Sequence, residues 1–569
     1  MDNKEVSRIL TEIGTLLELK GENPFKSRAY YNAALTVEKL GQDVNDLVKK
    51  GELPSIKGLG EALVKKITEL AETGRLGYYE ELKSSVPPGL SEMLSIHSLG
   101  PKKIRTIHEK LGITTIGELE YACVENRLVE LPGFGAKTQE KILKGILQLK
   151  SYSGRHLYSK AVGEAEVLVE ELKKCKDVIG LDVAGELRRK LETVGHIEIM
   201  VSSPMPGRVI DYAASLTGAR EIKKQRCGFI SFALPSGIYC LIRAIDRERY
   251  PYVLRYYTGS ETHNRMLAER AYRVGLSLTE GGLFKDGVPI PCTDEEAIFR
   301  SIGLDYIPPE LREGTTEIEG AEKRILPRLI TGDDIKGVLH VHTTYSDGLH
   351  SLEEMAEAAR KAGYSYLGIA DHSRSVAYAG GLSIERLKEQ GLKIDELNRN
   401  LTVIRLLKGA EVDILPDGSL DYPDEVLSNL DFVIASVHSK FNMGSAEMTE
   451  RIIKAIENHY VSILAHPTGR LLLSREGYTI NIAEIIKAAR RYNVAIELNA
   501  NPRRLELDWR YLRQVKEAGV KVAVNPDAHR VEGFSDMAYG IGIARKGWLE
   551  AADVINTMSV GEVLRFFEK

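Results

Sequence analysis

Short apolar segments alternate with amphipathic helical ones from residue 337 onward, and this alternation constrains the fold more than any other feature. An apolar run of about four to eight residues is typical of a buried strand, and intervening helices join such strands in parallel. Alternation of this kind predicts a parallel sheet or a β/α barrel. The apolar segments are 338–341, 366–370, 432–437, 461–465, 494–498 and 520–524.

Nearly every one of these segments is followed within three residues by a histidine or an acid. In a β/α barrel the carboxyl ends of the strands converge on one face, so side chains far apart in the sequence meet there. Imidazole and carboxylate groups suit Zn, Mn or Fe, and a His-x-His pair on a strand points both rings to the same side. The candidate metal ligands are His340, His342, Asp347, His372, Glu411, His438, His466, Asp527 and His529.

A shared metal site at these strand ends predicts a reaction at phosphate groups. Three divalent ions would carry more positive charge than the acids neutralise, and the surplus attracts phosphate and lowers the pKa of a bridging water. We therefore expect metal-assisted phosphoester hydrolysis, with the same residues as metal-binding and catalytic groups. One such histidine alone would more often be a core or capping residue, but the repeated pattern favours a metal site. His350 and His459 lie outside the pattern and are expected on the surface.

Residues 1–150 have apolar residues at helical spacing, broken by glycine-rich turns of which three share a form. Each leads into a helix with Lys or Arg near its start. In this helix-hairpin-helix pattern, glycines let the backbone approach a phosphate, and N–H groups of the next helix bind it without regard to base. One such turn would more often be an ordinary glycine cap, but three favour nucleic-acid binding. The expected DNA contacts are Gly58, Gly60, Gly100, Lys102, Lys103, Gly133, Gly135 and Lys137.

Composition argues against several classes of protein. The formal net charge of -4 provides no overall positive field, so polyanion binding must be built locally. The 5 cysteines include no Cys-x-x-Cys pair and none follows Cys292, which argues against a disulfide framework or a thiolate zinc site. No apolar run approaches the roughly 18 residues of a membrane span, and no signal peptide is recognisable. We expect a cytoplasmic protein without a membrane partner; no protein partner can be inferred.

Residues 151–315 mix helix and strand and resemble the palm of a family X DNA polymerase. The barrel pattern resembles that of the polymerase-and-histidinol-phosphatase (PHP) domain, although Val338 stands where that family often has Asp. The chain is therefore similar to the bacterial and archaeal two-module members of family X over essentially its whole length. The motifs that carry the polymerase resemblance are Phe25-Lys26-Ser27-Arg28-Ala29-Tyr30, Gly185-Glu186-Leu187-Arg188-Arg189, Glu192-Thr193-Val194-Gly195-His196-Ile197-Glu198, Leu241-Ile242-Arg243, Tyr256-Tyr257-Thr258-Gly259-Ser260 and His263-Asn264.

The resemblance implies a multidomain architecture. It consists of an all-α helix-hairpin-helix region at 1–150, an α+β nucleotidyltransferase palm with thumb-like elements at 151–315, a linker at 316–336 and a distorted, TIM-like β/α barrel, the PHP domain, at 337–569. It also implies up to three divalent metals, Mn, Zn or Fe, in the barrel.

The palm departs from the family where its chemistry would be. In the family, three Asp residues hold two divalent ions, which about 4 Å apart repel by roughly 16 kcal/mol at an effective dielectric near 20. The corresponding residues are His196, Glu198 and Leu241, or Cys240 if the third position is shifted by one. Leucine cannot coordinate a metal. No magnesium site is expected here unless a nearby acid such as Asp246 is recruited.

A fourth departure is Glu186, which stands where the family has a Ser that bonds the incoming triphosphate. Its carboxylate would repel phosphates unless Arg189 neutralises it. The four changes predict a palm that has kept its shape and lost catalysis. The family's sugar and base contacts remain, so nucleotide or primer-end binding is expected to survive. These contacts are Tyr256, Tyr257, Gly259 and Asn264.

Lys66 stands at the position that forms a Schiff base during 5'-deoxyribose-phosphate removal in some relatives. The resemblance thus implies a candidate lyase residue. Adjacent lysines such as Lys65 and Lys66 on a charged helix are more often simply solvated, which leaves both interpretations open.

The leading hypothesis is a DNA repair or processing protein whose barrel acts as a metal-dependent 3'-5' exonuclease or related DNA phosphoesterase. Its substrates would be gapped, recessed or single-stranded 3' ends, and Arg470 or Arg503 would contact phosphate. One alternative is that gap-filling DNA polymerisation persists beside the exonuclease. Another is a non-catalytic scaffold that binds DNA ends. A small-molecule phosphatase would leave the three hairpins unexplained.

Overall fold

The computed structural model describes residues 1–96, 98–124, 127–129, 131–152, 154–216, 221–226, 228–376 and 379–568. The chain forms two compact units, Met1–Ser153 and Gly154–Lys569. No helix in the described ranges is long and apolar enough to cross a membrane.

The first unit is helical, as predicted. Asp2 begins the first helix by accepting a hydrogen bond from the backbone N–H of Glu5, which satisfies an otherwise unpaired helix donor. Apolar faces of the helices share one core, which includes Leu10, Ile67 and Ile104. The helices are α1 (Asn3–Leu19), α2 (Pro24–Glu38), α3 (Val44–Lys49), α4 (Glu61–Thr73), α5 (Gly77–Ser84), α6 (Pro88–Glu92), α7 (Pro101–Leu111), α8 (Ile116–Val124) and α9 (Ala136–Tyr152).

The second unit begins with the palm and thumb-like elements. These are β1 (His156–Leu157), α10 (Tyr158–Lys173), β2 (Gly180–Val183), α11 (Gly185–Arg188), β3 (Thr193–Val194), β4 (His196–Ser202), α12 (Pro206–Leu216), β5 (Glu221–Arg226), β6 (Phe229–Ala233), β7 (Tyr239–Ile245), α13 (Tyr250–Thr258), α14 (Glu261–Arg273), β8 (Ser277–Leu278), β9 (Leu283–Lys285), β10 (Val288–Ile290) and α15 (Glu295–Ser301). The main sheet has the order β2-β4-β7-β6-β5, with β4 and β7 parallel and the other pairs antiparallel.

The segment predicted as a linker, 316–336, packs against both neighbouring regions. It contains helix α16 (Glu317–Lys323), and Ile318 and Ile330 are buried. Leu329 forms a β-bridge with Glu550 of the barrel. Because its apolar side chains are buried, this segment is part of the second unit's core rather than an extended connection.

Parallel strands and helices alternate in the barrel, as the sequence predicts. The elements are β11 (Gly337–Val338), α17 (Leu352–Lys361), β12 (Tyr366–Ile369), α18 (Ile384–Asn400), β13 (Arg405–Lys408), β14 (Glu411–Asp413), α19 (Asp424–Leu427), β15 (Val433–Ser436), α20 (Ser445–Ile456), β16 (Val461–Leu464), α21 (Ile482–Arg491), β17 (Ala495–Asn499), α22 (Trp509–Glu517), β18 (Val522–Asn525), α23 (Met537–Lys546) and α24 (Val560–Phe567).

The barrel strands form two parallel sheets, β11-β12-β13 and β14-β15-β16-β17-β18. Strands β13 and β14 are halves of one strand interrupted at Gly409, where a side chain would strike the buried ring of Phe432. The bridge between Val341 and Ala528 brings the first and last strands together. The result is a nearly closed, seven-stranded barrel that aims the carboxyl ends of its strands at one mouth.

Candidate metal centre

The candidate ligand side chains converge at the barrel mouth around Glu411, which is buried. Its Oε2 lies 2.8 Å from Nδ1 of His372, and its Oε1 lies 2.9 Å from Nε2 of His466 and 3.2 Å from Nε2 of His438. Strand β14 begins at Glu411, which places this carboxylate at the centre of the mouth. Residues far apart in the sequence therefore surround one acid.

The ligand atoms form three overlapping groups, each compact enough to hold one ion. His342 and His372 each belong to two of them, which makes the groups one connected cluster. The groups are His342, Asp347, His372 and His529, then His340, His342 and Asp527, and finally His372, Glu411 and His438. His466 joins the cluster through Glu411.

Several of these atoms are buried without a hydrogen-bond partner in the described part of the chain. They include Nε2 of His340, both ring nitrogens of His342, and Oε2 of Glu411, whose short contact with Nδ1 of His372 lacks hydrogen-bond geometry. An unpaired buried polar atom costs about 1–3 kcal/mol, so native proteins rarely keep several together without a purpose. Divalent cations would satisfy these nitrogen and oxygen atoms at once, and the donor set suits Zn, Mn or Fe. The residues present thus fit the predicted metals.

Charges within the cluster keep its central acid ionised, but the neighbouring acids also raise the pKa of His340, His372, His438 and His529 although burial opposes it, so a cation would displace protons from these four rings when it binds. Burial acts to raise the pKa of the Glu411 carboxyl, but His438, His372 and His340 outweigh it and hold that pKa well below its usual range. Burial, together with His529 and His372, lowers the pKa of His342 to about 3. An ionised carboxylate and a neutral imidazole are the forms that coordinate a cation.

Two of the candidate ligands have a strained backbone. His466 has φ of 25° and Asp527 has φ of 51°, in the left-handed region that residues other than glycine rarely adopt. Residues with strained backbone dihedral angles occur most often at functional sites, where packing by the surrounding structure holds them in that conformation.

A buried acid that the strand-end pattern missed, Glu497, supports the cluster from behind. It accepts hydrogen bonds from Nδ1 of His340 at 2.7 Å, from the backbone N–H of His466 at 2.9 Å and from Nδ2 of Asn525 at 3.1 Å. The bond to Nδ1 leaves Nε2 of His340 free to coordinate. The pattern missed Glu497 because this acid lies within strand β17 rather than after it. Segment 494–498 is the one apolar segment that no candidate ligand follows, and this exception could have pointed to the acid inside it.

Replacing Glu497 with Gln is expected to weaken Mn²⁺ binding about 10- to 100-fold, because a neutral amide supports the His340 imidazole less well than a carboxylate. Isothermal titration calorimetry would measure the affinity. Glu425→Gln, which changes an exposed acid of the same barrel, serves as the control. Equal affinities for the two variants would show that Glu497 does not support the metal centre.

Of the two arginines predicted to contact phosphate, Arg470 is already engaged and Arg503 stays a prediction. Arg470 uses its guanidinium within the protein: Nε donates to the carbonyl of Arg504 at 2.9 Å and Nη1 to Asp508 at 2.7 Å. It also lies 3.6 Å from Glu192 of the palm, so it joins palm and barrel. Arg503 is exposed, whereas the neighbouring Arg504 lies 3.7 Å from the candidate ligand Asp527.

The histidines outside the pattern differ in exposure. His459 is exposed, as expected. His350 is only partly exposed, and its Nδ1 accepts a hydrogen bond from the backbone N–H of Val531 at 3.3 Å. It holds two loops together instead of standing free on the surface.

In the palm, the three polymerase positions lie side by side. Glu198 pairs with Leu241 across parallel strands β4 and β7, so the two side chains share one face of the sheet, whereas Cys240 pairs with Ile197 on the other face. This register identifies Leu241 as the neighbour of Glu198. His196 lies 3.5 Å from Glu198, and this contact raises the pKa of the imidazole although burial opposes it.

Glu186 is neutralised, but by Arg155 rather than by Arg189, the residue that the sequence offered for this role. Arg155 donates from Nη1 to Glu186 at 2.8 Å, and the backbone N–H of Gly195 donates to the same carboxylate at 2.7 Å. Arg189 instead donates to Glu313 at 2.9 Å. Arg155 lies far outside the motif in sequence, so nothing in the motif pointed to it.

Asp246 cannot replace the missing third acid. It is exposed and follows the last residue of strand β7, five residues beyond Leu241. At about 3.3 Å per residue, that places it roughly 16 Å along the strand from the polymerase positions. Its carboxylate accepts a hydrogen bond from the backbone N–H of Arg249.

The four predicted nucleotide contacts line one cavity of about 460 Å³. Tyr256 and Tyr257 lie edge to face there, with ring centres 5.3 Å apart. Asn264 donates from Nδ2 to the carbonyl of Tyr256 at 2.7 Å, and Gly259 has no room for a side chain beside it. The four residues thus lie together around one cavity, and the Asn264 amide is hydrogen-bonded to the protein backbone.

The glycines of the helix-hairpin-helix turns adopt the expected geometry. Gly58 and Gly133 have φ of 99° and 82°, a conformation that glycine adopts without strain. Gly60 and Gly100 directly precede helices α4 and α7, and Gly135 precedes α9. Open space surrounds the last three glycines, so a phosphate could approach the backbone. Lys102 and Lys137 are exposed and Lys103 partly so.

Lys66 lies in an aromatic pocket of the first unit. Its Nζ donates to the hydroxyl of Tyr30 at 2.5 Å and lies 3.6 Å from the centre of the Tyr78 ring. Burial, followed by the charge of Lys26, lowers the pKa of the Lys66 amine. Lys65 differs: it is 75% exposed and pairs with Glu61.

Family models match four parts of the chain. They are a helix-hairpin-helix domain at residues 1–76, a SAM-like helix-hairpin-helix tandem at 90–146, a DNA polymerase beta thumb at 253–313 and a PHP domain at 339–501. Helix-hairpin-helix and polymerase regions together indicate a DNA-binding protein.

Individual relatives match either the whole chain or the barrel. A protein of Bacillus subtilis (strain 168) named DNA polymerase/3'-5' exonuclease PolX is 38% identical over 573 residues, which covers 100% of each chain. A probable phosphatase of Thermoanaerobacter sp. (strain X514) is 30% identical over 247 residues, 40% of this chain and 93% of that one. A probable phosphatase of Caldanaerobacter subterraneus is 32% identical over 209 residues, 33% of this chain and 74% of that one.

Proposed function

Because the chain belongs to the family X DNA polymerases with a C-terminal PHP domain, we propose that it processes DNA through the barrel alone. The barrel would act as a metal-dependent 3'-5' exonuclease or related phosphoesterase, and the palm would hold DNA without extending it. One observation carries this proposal. Among the described residues, every group of three or more His, Cys, Asp or Glu side chains that could share an ion lies in the barrel.

The metals would be held by the three groups of ligands around Glu411. When bound, divalent ions supply Lewis acidity toward a phosphodiester and its attacking water. The protein's own contribution is to keep Glu411 ionised and His342 neutral and to orient His340 through Glu497. Asp347 and His529 are the partly exposed ligands, so a DNA end would approach the cluster from their side.

The palm supports the same proposal by what it lacks. Leu241 lies beside Glu198 where a third carboxylate would be needed, and His196 is paired with Glu198. The ion pair of Arg155 and Glu186 occupies the position of the triphosphate-binding Ser. The relative from Bacillus subtilis is named both polymerase and exonuclease, so active polymerisation is the alternative to test.

Substrate preference tests the DNA-processing proposal against a small-molecule phosphatase and a scaffold. We expect kcat/KM for a single-stranded oligonucleotide with Mn²⁺ to exceed that for p-nitrophenyl phosphate at least about 100-fold, because phosphate contacts outside the barrel add affinity. The advantage should fall as salt rises. A preference for the small ester would favour a phosphatase, and no hydrolysis of either would favour a scaffold.

A second candidate function is removal of 5'-deoxyribose phosphate by Lys66. The lowered pKa of Lys66 increases the fraction of neutral amine, which is the form that attacks the aldehyde of an opened abasic sugar. The amine and aldehyde would form a Schiff base with loss of water. Tyr30 and Tyr78 fix the position of the amine.

Borohydride trapping tests this lyase proposal. The unmodified protein is expected to form a covalent adduct with incised abasic DNA, since borohydride reduces a Schiff base to a stable amine. Lys66→Ala should reduce the adduct at least about tenfold, whereas Lys65→Ala should leave it unchanged, because only Lys66 lies in the pocket. Equal trapping by both variants would assign the amine elsewhere.

A further inference from the structure

Arg504 is a cation fixed at the edge of the metal centre. Its Nε lies 3.7 Å from Oδ2 of Asp527, and its Nη1 donates to Glu506 at 3.3 Å. Its backbone is held as well, because its carbonyl accepts from Arg470. The side chain is 19% exposed, and in the described part of the chain its Nη2 has no hydrogen-bond partner.

Arg470, which lies nearby, uses its donors differently from Arg504. Arg470 directs Nε, Nη1 and Nη2 to Arg504, Asp508 and Leu505, so its donors are used within the protein. Arg504 is anchored on one side and keeps a donor accessible on the other. A guanidinium is always charged and presents its donors in a rigid fork that matches phosphate oxygens.

The charges around Arg504 indicate that its Nη2 would bind an anion. A guanidinium beside residues that fit divalent cations would be repelled by those cations when they bind. Asp527 and Glu506 offset part of this repulsion, and Asp527 is itself a candidate ligand. An anion between the ions and Arg504 would offset the remainder. Phosphate is the anion that the proposed function brings to this place.

We propose that Arg504 is a catalytic residue that donates a hydrogen bond from Nη2 to a non-bridging oxygen of the phosphodiester under attack. The inference rests on the proposed function of the barrel and assigns one residue of its substrate site. A donor fixed in advance stabilises the negative charge that develops on those oxygens in the transition state.

The test compares Arg504→Gln and Arg504→Lys with the unmodified protein, and uses Arg405→Gln as the control. Three quantities are measured: Mn²⁺ affinity by calorimetry, the affinity of the Mn²⁺-loaded protein for inorganic phosphate, and kcat for hydrolysis of single-stranded DNA. Arg405 is exposed at the amino-terminal end of strand β13, away from the mouth, so its loss removes the same charge at a different position.

Arg504→Gln is expected to keep Mn²⁺ affinity within about twofold, to weaken phosphate binding at least about tenfold and to lower kcat about 100- to 1,000-fold. Arg504→Lys should recover part of the phosphate binding, and Arg405→Gln should match the unmodified protein. Phosphate binding that is unchanged in Arg504→Gln, or absent from the unmodified protein, would overturn the inference.

Two further outcomes would distinguish a phosphate contact of Arg504 from a purely positioning role, and the inference from the proposed function. Loss of Mn²⁺ affinity in Arg504→Gln as large as its loss of phosphate affinity would overturn the contact, because it would show that Arg504 only positions Asp527. Phosphate binding that depends on Mn²⁺ and Arg504, without any DNA hydrolysis, would support the phosphate contact and refute the proposed function.

Discussion

Replacing His340 and His342 together with alanine is expected to reduce metal-dependent shortening of end-labelled DNA at least about 1,000-fold. The two rings contribute to two of the three ligand groups and contain three of the unpaired buried nitrogens. Lewis-acid stabilisation is worth several kcal/mol, and each 1.4 kcal/mol of barrier is about tenfold in rate. Denaturing gel electrophoresis of the labelled strand, at several times after Mn²⁺ addition, measures the rate.

The control for this double variant is His459→Ala, which removes an exposed histidine of the same barrel and should leave the rate unchanged. Thermal unfolding of each variant would establish that the barrel remains folded. Shortening that survives the double substitution in a folded protein would place the active site outside this cluster.

Restoring the palm's acids is expected to create nucleotide-dependent extension. The variant would combine His196→Asp, Glu198→Asp, Leu241→Asp and Glu186→Ser in the His340→Ala, His342→Ala background, so that extension is not masked by degradation. Three carboxylates on one face of the sheet offset the repulsion between two ions, and the Glu186→Ser change removes a carboxylate and leaves the Arg155 cation free to attract phosphate. We expect an increase of at least about 100-fold in extension of a 3'-recessed primer with Mg²⁺.

Two controls accompany this variant. Leu241→Asp alone in the same background should give no gain, because His196 would still replace one of the three acids and the Arg155–Glu186 ion pair would still occupy the phosphate position. The background without palm changes should add no nucleotide. Extension by that background equal to the restored variant would contradict the loss of palm catalysis.

The metal centre of the barrel was predictable because its candidate ligands recur at the ends of the alternating apolar strands. Alternating apolar strands and helices give parallel strands, whose carboxyl ends meet, and the histidines after those strands do lie together. The central place of Glu411 was not predictable, because it depends on the interruption of one strand at Gly409. Glu497 was missed because it lies inside a strand and touches the candidate ligands from behind.

Contacts between residues far apart in the sequence limited how much of the palm site could be predicted. The position of Leu241 beside Glu198 follows from strand register, which spacing suggested and the parallel pairing of β4 and β7 shows. The partner of Glu186 is Arg155, a residue before the motif that only tertiary structure brings near. Similarly, Arg470 looked like a phosphate ligand in sequence because its contact with Glu192 of the palm is invisible there.

The most direct test of the account uses the unmodified protein with 5'-end-labelled, 3'-recessed DNA and Mn²⁺, with and without the four deoxynucleotides. The account predicts progressive shortening from the 3' end in both mixtures and no product longer than the primer. Products longer than the primer when nucleotides are present would contradict it.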